Sequence, residues 1–164
     1  MLSVKEVRKM NNIKQIEVIY DNRLVGRLAL TKEGLCAFEY SAEWLDSGFS
    51  ISPFELPLKS GVFIAKPRPF EGGFGVFDDC LPDGWGLLIL DRYLQQKGVN
   101  PRTLTLLDRL ALVGSTGRGA LEFRPDKSVI TRQDYVDFEK LALEAEQILD
   151  SDDYTGEGIE EFQD

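Results

Sequence analysis

Histidine is absent from this 164-residue chain, and cysteine occurs only twice, at Cys36 and Cys80. Without histidine there is no Ser–His or Cys–His activation of a nucleophile and no histidine-ligated zinc site. Two cysteines alone cannot complete a tetrahedral zinc site either. An enzyme built from this chain alone would depend on carboxylates, lysine or tyrosine. We predict no catalytic residues, no metal and no cofactor.

A long apolar run is also lacking, because no stretch approaches the roughly 18 residues that a membrane-spanning helix needs. Residues 1–12 carry charges without an apolar stretch, which is not the pattern of a secretory signal. We therefore predict a cytoplasmic protein without a membrane partner. In that compartment Cys36 and Cys80 are predicted to be buried thiols in preference to a disulfide.

Basic residues are missing from the C-terminal part of the chain. Of the 28 acids, nine lie from Leu141 onward, where there is no Lys or Arg, so the first 140 residues hold 19 of each sign. A protein that binds a phosphate backbone needs a basic face, so we predict no direct binding to nucleic acid. A neutral body with an acidic end permits docking to a basic protein partner.

The first third of the chain has the alternating pattern of β-strands. Residues 15–20, 23–30 and 35–40 form three candidate strands. Asp21 and Asn22 are placed for a two-residue turn, because both residue types tolerate positive φ. Alternation puts four residues of the second strand on one face: Leu24, Gly26, Leu28 and Leu30. The three segments predict a β-meander.

Helical patterns follow the strands. Residues 41–45 predict a short helical turn with Trp44 in the core. The Gly- and Pro-rich residues 47–75 allow only short extended pieces or edge strands, around 54–58 and 62–65. A helix is predicted to open at Pro82-Asp83-Gly84, with Pro82 in its first turn, and to end at Gly98. Its apolar residues recur at helical spacing, and they are Trp85, Leu88, Ile89 and Tyr93. Further elements are predicted at 101–112 (helix), 119–123 (strand) and 131–149 (helix).

Strands followed by helices predict an α+β fold: a small antiparallel β-meander or partial barrel with about three helices packed on one side. We divide the chain into a flexible N-terminus at 1–12, one domain at 13–149, and an acidic tail or linker at 150–164.

Residues 114–119 read Gly-Ser-Thr-Gly-Arg-Gly, which invites comparison with a phosphate-binding loop. A Walker loop needs a Gly-Lys-Ser/Thr end and a helix after it, whereas here no such lysine follows and the next element is a predicted strand. We favour a tight helix-to-strand turn. The acids of residues 150–161 lack the turn glycine of an EF-hand loop, so a solvated linker is preferred there.

Two further features have more than one interpretation. Asp78, Asp79 and Asp83 are either a carboxylate set for acid–base chemistry or turn and N-cap residues, and the second is favoured because no nucleophile pattern accompanies them. Trp85 lies between Gly84 and Gly86. It is either a core anchor of its helix, which we slightly favour, or an exposed contact for a partner, since tryptophan is enriched at interface hot spots.

Two motifs carry a resemblance to a known family. Phe77-Asp78-Asp79-Cys80-Leu81-Pro82-Asp83-Gly84-Trp85-Gly86, together with Leu112-Val113-Gly114-Ser115-Thr116-Gly117-Arg118-Gly119-Ala120-Leu121-Glu122-Phe123, resembles the N-terminal subdomain of HipA-type serine/threonine kinases. The resemblance covers roughly residues 16–150. The chain ends at Asp164, about where the glycine-rich, ATP-covering segment of that family is expected to begin.

The resemblance implies a non-catalytic regulatory module of a bacterial toxin–antitoxin system linked to persistence. Its implied partner is a HipA-like kinase, in cis or in trans, with a helix-turn-helix DNA-binding antitoxin as a second partner. The module would restrain the kinase, as a split subunit does. The alternative is a truncated N-terminal part that completes the kinase only with its C-terminal domain. We predict the partner contact at Phe77, Asp78, Asp79, Asp83, Trp85 and Arg118.

Overall fold

The structure is a computed structural model that describes residues 13–128, and it is of the α+β class. Its strands are β1 (Gln15–Tyr20), β2 (Arg23–Leu30), β3 (Cys36–Tyr40), β4 (Val62–Ile64) and β5 (Leu121–Arg124). Its helices are α1 (Ala42–Ser47), α2 (Gly75–Asp78), α3 (Gly84–Gln96) and α4 (Leu106–Val113), with a 3-10 turn at Pro101–Thr103. None of the helices in 13–128 is long and apolar enough to cross a membrane.

The five strands form one antiparallel sheet in the order β4-β3-β2-β1-β5. The predicted meander is confirmed, because β1, β2 and β3 are neighbours both in the chain and in the sheet. Asp21 and Asn22 make the predicted tight turn, with φ of 47° and 60°. β4 and β5 lie at opposite edges and do not pair with each other, so the sheet stays open.

A β-bulge changes the predicted face of β2. Val18 pairs with Gly26 and Ile19 with Leu24, so Val25 is the extra residue between the two pairs. Val25 is fully buried, although strict alternation placed it on the outer side, and Leu24 and Leu30 are only half-buried. The prediction that Leu24, Gly26, Leu28 and Leu30 share one face is therefore wrong at Leu24, because the bulge shifts the alternation by one residue there, whereas Leu30 packs against the same core as Leu28.

Aromatic side chains make up much of the core. Trp44 is buried, as predicted, and its indole N–H donates to the carbonyl of Phe49 at 2.9 Å. The Tyr40 hydroxyl donates to the carbonyl of Leu56 at 2.6 Å. These two bonds hold the Gly- and Pro-rich segment that follows α1 against the sheet. Of the extended piece predicted at 54–58, only an isolated bridge from Leu56 to Ser52 is observed, whereas the piece predicted at 62–65 contains β4.

The predicted helices differ from the observed ones at their ends. Pro82 precedes α3 instead of lying in its first turn, because Asp83 is the N-cap. The predicted helix at 101–112 is divided into the 3-10 turn and α4, since Thr105 and Asp108 form a capping box that starts a new helix. α2 was not predicted. The predicted helix at 131–149 and the terminal segments 1–12 and 150–164 lie outside the described residues.

Candidate partner-binding surface

The first turn of α3 is tied to a distant loop by one aspartate. Asp83 caps the helix, its Oδ1 accepting from the backbone N–H of Gly86 at 3.2 Å. Its Oδ2 accepts from the Arg118 guanidinium at 2.8 Å. Both side chains are about half exposed, so this ion pair positions the two segments more than it stabilises the fold. The two motifs singled out in the sequence are therefore neighbours in space.

The glycine-rich loop at 114–119 is the predicted turn between a helix and a strand. Gly114 has φ of 54° and ψ of −117°, and a Cβ there would overlap the carboxylate of Asp126. That carboxylate accepts from the backbone N–H groups of Ser115 at 3.1 Å and Ser128 at 2.9 Å. A side chain of the protein thus already uses an amide that a phosphate loop would offer to its ligand. The structural interpretation of this loop is confirmed.

Two contacts fix the position of the 114–119 loop: the hydrogen bonds to Asp126 and the close approach of Gly117 to the backbone of Cys80. Burial acts to raise the pKa of Asp126, but the hydrogen bonds from Ser115 and Ser128 outweigh it and hold that pKa below its ordinary value. A Cβ at Gly117 would meet the carbonyl of Cys80 at 3.1 Å. The loop therefore packs against the chain just before α3, and this packing brings Arg118 within reach of Asp83.

Trp85 is exposed over 54% of its surface, so its interpretation as a core anchor is wrong. The buried residues of α3 are Gly86, Leu90 and Leu94. Leu88 lies one turn beyond Trp85 on the same side of the helix and is 41% exposed. Trp85 and Leu88 therefore form a pair of large apolar side chains on the surface, beside the ion pair of Asp83 with Arg118. We call these four residues the α3 surface.

The other predicted contact residues lie apart from the α3 surface. Phe77 has no exposed area, and its ring packs against Phe38, Phe74 and Phe123 in the core. Its side chain is unavailable to a partner, because it lies on the side of α2 that packs against the sheet. Asp78 and Asp79 are both exposed. Asp78 lines a separate groove, and Asp79 adds to the high pKa of its neighbour Cys80.

The groove next to Asp78 was not predicted. It has a volume of about 450 Å³ and lies between the β2–β3 turn, residues 70–73 and the helices α3 and α4. Arg109 lines it and donates to Asp91 at 3.0 Å and to the carbonyl of Pro101 at 3.1 Å. No local pattern predicts this groove, because its lining comes from five separated parts of the chain, within 30–36, 70–73, 78–81, 87–91 and 104–109. Across residues 13–128, no cluster of acids and cysteines is arranged to hold a metal ion.

Both cysteines are buried and free, which confirms the preference for thiols over a disulfide. Burial raises the pKa of Cys36 to about 11. Burial, with the charge of Asp79 as a smaller cause, raises the pKa of Cys80 to about 11 as well. Since the thiolate is the reactive form, neither residue is suited to nucleophilic chemistry at neutral pH.

These thiols provide a test of the packing around β3 and α2. With a thiol-specific disulfide reagent at pH 8, we expect both cysteines of the folded protein to react at least about 100-fold more slowly than in denaturant, because a pKa near 11 leaves little thiolate and burial blocks access. The absorbance of the thiolate that leaves the reagent measures the rate in the native protein and the rate in denaturant. Rapid reaction of one thiol in native protein would show that its side of the core opens readily.

Comparisons with known proteins agree with the motifs. A family model described as HipA N-terminal domain matches residues 16–124. A protein of Sinorhizobium fredii (strain NBRC 101917 / NGR234) named "Putative kinase Y4mE" is 32% identical over 117 residues. The aligned region covers 70% of this chain and 25% of that protein, so the chain spans about a quarter of the length of this curated relative.

The family match includes both motifs and all five strands, from the second residue of β1 to the end of β5. It also includes every residue of the α3 surface. The chain belongs to the HipA N-terminal domain family.

Proposed function

We propose that this domain docks on a HipA-like kinase and restrains it, without performing chemistry of its own. The observation that supports the proposal best is the exposure of Trp85 and Leu88 beside the Asp83–Arg118 ion pair. Large apolar side chains that remain on the surface next to polar groups are typical of protein–protein contacts. The family membership and the name of the Sinorhizobium fredii relative support a kinase as the partner.

The α3 surface has the composition of an interface centre with a polar rim. Tryptophan and arginine are the residue types most enriched among hot spots, and Trp85 offers a rigid ring close to a fixed helix end. Asp83 and Arg118 are about half exposed and already paired, so they can exchange their bond for contacts with a charged partner at little cost. Asp78 and Asp79 are exposed shortly before α3, and we propose that they make peripheral contacts with the partner.

The test uses a HipA-like kinase and measures its autophosphorylation and its affinity for this chain. We expect the unaltered chain to bind and inhibit the kinase. Trp85→Ala should weaken binding at least about 30-fold, which corresponds to the roughly 2 kcal/mol of a hot-spot side chain. The matched control is Phe54→Ala, because Phe54 is a fully exposed aromatic residue in a different segment.

The two substitutions separate the possible results. Equal losses for Trp85→Ala and Phe54→Ala would indicate a general surface effect and reject the α3 surface as the contact. Inhibition that persists in Trp85→Ala would place the contact elsewhere on the domain. A helix-turn-helix antitoxin as an additional partner is tested by adding that protein to the same binding measurement.

A second candidate function is favoured by the length comparison. Because the aligned region covers only 25% of the relative, the domain is also consistent with one part of a kinase that is active when both parts are joined, in cis or in trans. This candidate predicts that adding the chain raises the activity of the separate kinase core. Inhibition in the same experiment would reject it.

A further inference from the structure

The edge strand β4 has one side of its backbone without a partner strand. It pairs with β3 through Ala37–Ile64, Phe38–Phe63 and Glu39–Val62, and no strand within 13–128 lies on its other side. The N–H of Ala65 donates to the carbonyl of Cys36 at 2.8 Å. Because successive residues of a strand direct their polar groups to opposite sides, those of Val62 and Ile64 point away from the sheet.

The side chains at this edge are apolar and exposed. Val62 and Ile64 are each 60% exposed and lie on the outer face of the sheet, opposite to the side that packs on the core. An exposed edge with apolar side chains is a template for the addition of another strand, and proteins normally cover or blunt such edges. β4 has neither a bulge nor a proline within it.

Basic residues flank β4 on both sides along the chain, although the paired strand β3 carries one exposed acid, Glu39, opposite Val62. Lys59 precedes β4, and Lys66 and Arg68 follow it, and all three are exposed. None of the three makes an ion pair with another residue of the described part of the chain. The one acid in residues 53–69 is Glu55, whose carboxylate accepts from the backbone N–H of Gly75 at 3.0 Å. The edge therefore suits an extended segment that is acidic and carries apolar side chains.

The chain itself contains such a segment at 150–164. It has seven acids and no basic residue, and it includes the apolar residues Tyr154, Ile159 and Phe162. The sheet is about 19 Å wide, which is four strand spacings. The 30 residues between Ser128 and Ile159 are long enough to cross that width whether they are helical or extended, at roughly 1.5 or 3.3 Å per residue.

We propose that the acidic segment 150–164 adds to the free edge of β4 as a sixth strand. In this arrangement Ile159 or Phe162 covers Val62 and Ile64, and the carboxylates of Glu160 and Glu161 neutralise Lys66 and Arg68. Backbone hydrogen bonds supply the affinity, and the charges select the segment, as in other cases of strand addition. This interaction is independent of the contact proposed for the α3 surface.

The experiment is hydrogen exchange with mass spectrometry on the full 164-residue chain. We expect the peptide that contains Val62 and Ile64 to exchange about tenfold more slowly in the unaltered chain than in a Glu157→Gln, Glu160→Gln, Glu161→Gln variant. Lys66→Glu with Arg68→Glu should cause the same loss of protection. Adding Glu160→Lys with Glu161→Lys to that pair should restore it. The peptide of β5 at the other edge is the internal control.

Three results would overturn the proposal. Equal exchange in the unaltered and the Gln-substituted chains would show that the segment does not cover β4. Protection that increases with protein concentration would assign the edge to a second copy of the chain. Protection that appears only when the kinase is added would assign it to a strand of that partner.

Discussion

Phe77→Ala is expected to destabilise the domain by about 3–5 kcal/mol, although the sequence motif suggested a residue for partner contact. The ring lies 5.5 Å from that of Phe38 on β3 and 6.3 Å from that of Phe123 on β5, measured between centroids. It thus connects two strands that are separated by two others in the sheet. Removing it leaves a cavity between them that the surrounding aromatic rings cannot fill without leaving their rotamers.

The measurement for Phe77→Ala is the midpoint of unfolding in urea, followed by far-ultraviolet circular dichroism. Two controls bracket the expected result. Phe77→Leu keeps most of the buried volume and should cost less than half as much. Val62→Ala removes a 60% exposed side chain and should change stability by no more than about 0.5 kcal/mol in either direction. Comparable midpoints for Phe77→Ala and Val62→Ala would show that the ring is not an essential part of the core.

Asp108→Ala is expected to cost about 2–4 kcal/mol, because Asp108 is the one buried charged side chain among residues 13–128. Its Oδ2 accepts from the N–H and the hydroxyl of Thr105, both at 2.9 Å, which completes the capping box of α4. Its Oδ1 accepts from the N–H of Ile13 at 3.2 Å, 95 residues away in the chain. Alanine would leave both N–H groups without these acceptors.

Graded substitutions distinguish the lost hydrogen bonds from lost packing. Asp108→Asn keeps one acceptor oxygen and should recover about half of the stability lost in Asp108→Ala, whereas Asp78→Ala, at an exposed aspartate, should be nearly neutral. The same urea titrations provide the values, and hydrogen exchange of the Ile13 amide reports on that bond directly. If Asp108→Asn is as unstable as Asp108→Ala, both carboxylate oxygens are needed together.

The sheet could be predicted because its signals are local. Alternation identified β1, β2 and β3, and Asp21 with Asn22 identified the first turn. The bulge at Val25 could not be predicted, since Leu24 and Val25 are both apolar and either register buries one of them. The division of the helix at 101–112 does have a local signal in the sequence. Thr105 and Asp108 stand three residues apart, as in a capping box.

The candidate surface was predicted only in part, because burial depends on contacts between distant residues. Phe77 is predicted at the partner contact because it belongs to the motif that carries the family resemblance, and its Gly- and Pro-rich surroundings show no period that would identify α2 or its buried side. Trp85 shares its helical spacing with Leu88, and that spacing does not say which side of α3 meets the core. The pairing of Asp83 with Arg118 spans 35 residues, so no local pattern predicts it.

The two tryptophans of this chain lie in opposite environments, so their intrinsic fluorescence can report on two different events. Trp44 is buried and packed against the rings of Tyr20 and Phe49, whereas Trp85 is half exposed on α3. Emission from Trp44 is therefore shielded from dissolved quenchers and follows unfolding, while emission from Trp85 is open to them and follows whatever covers α3. Quenching by iodide can thus register docking and folding separately in one unlabelled sample.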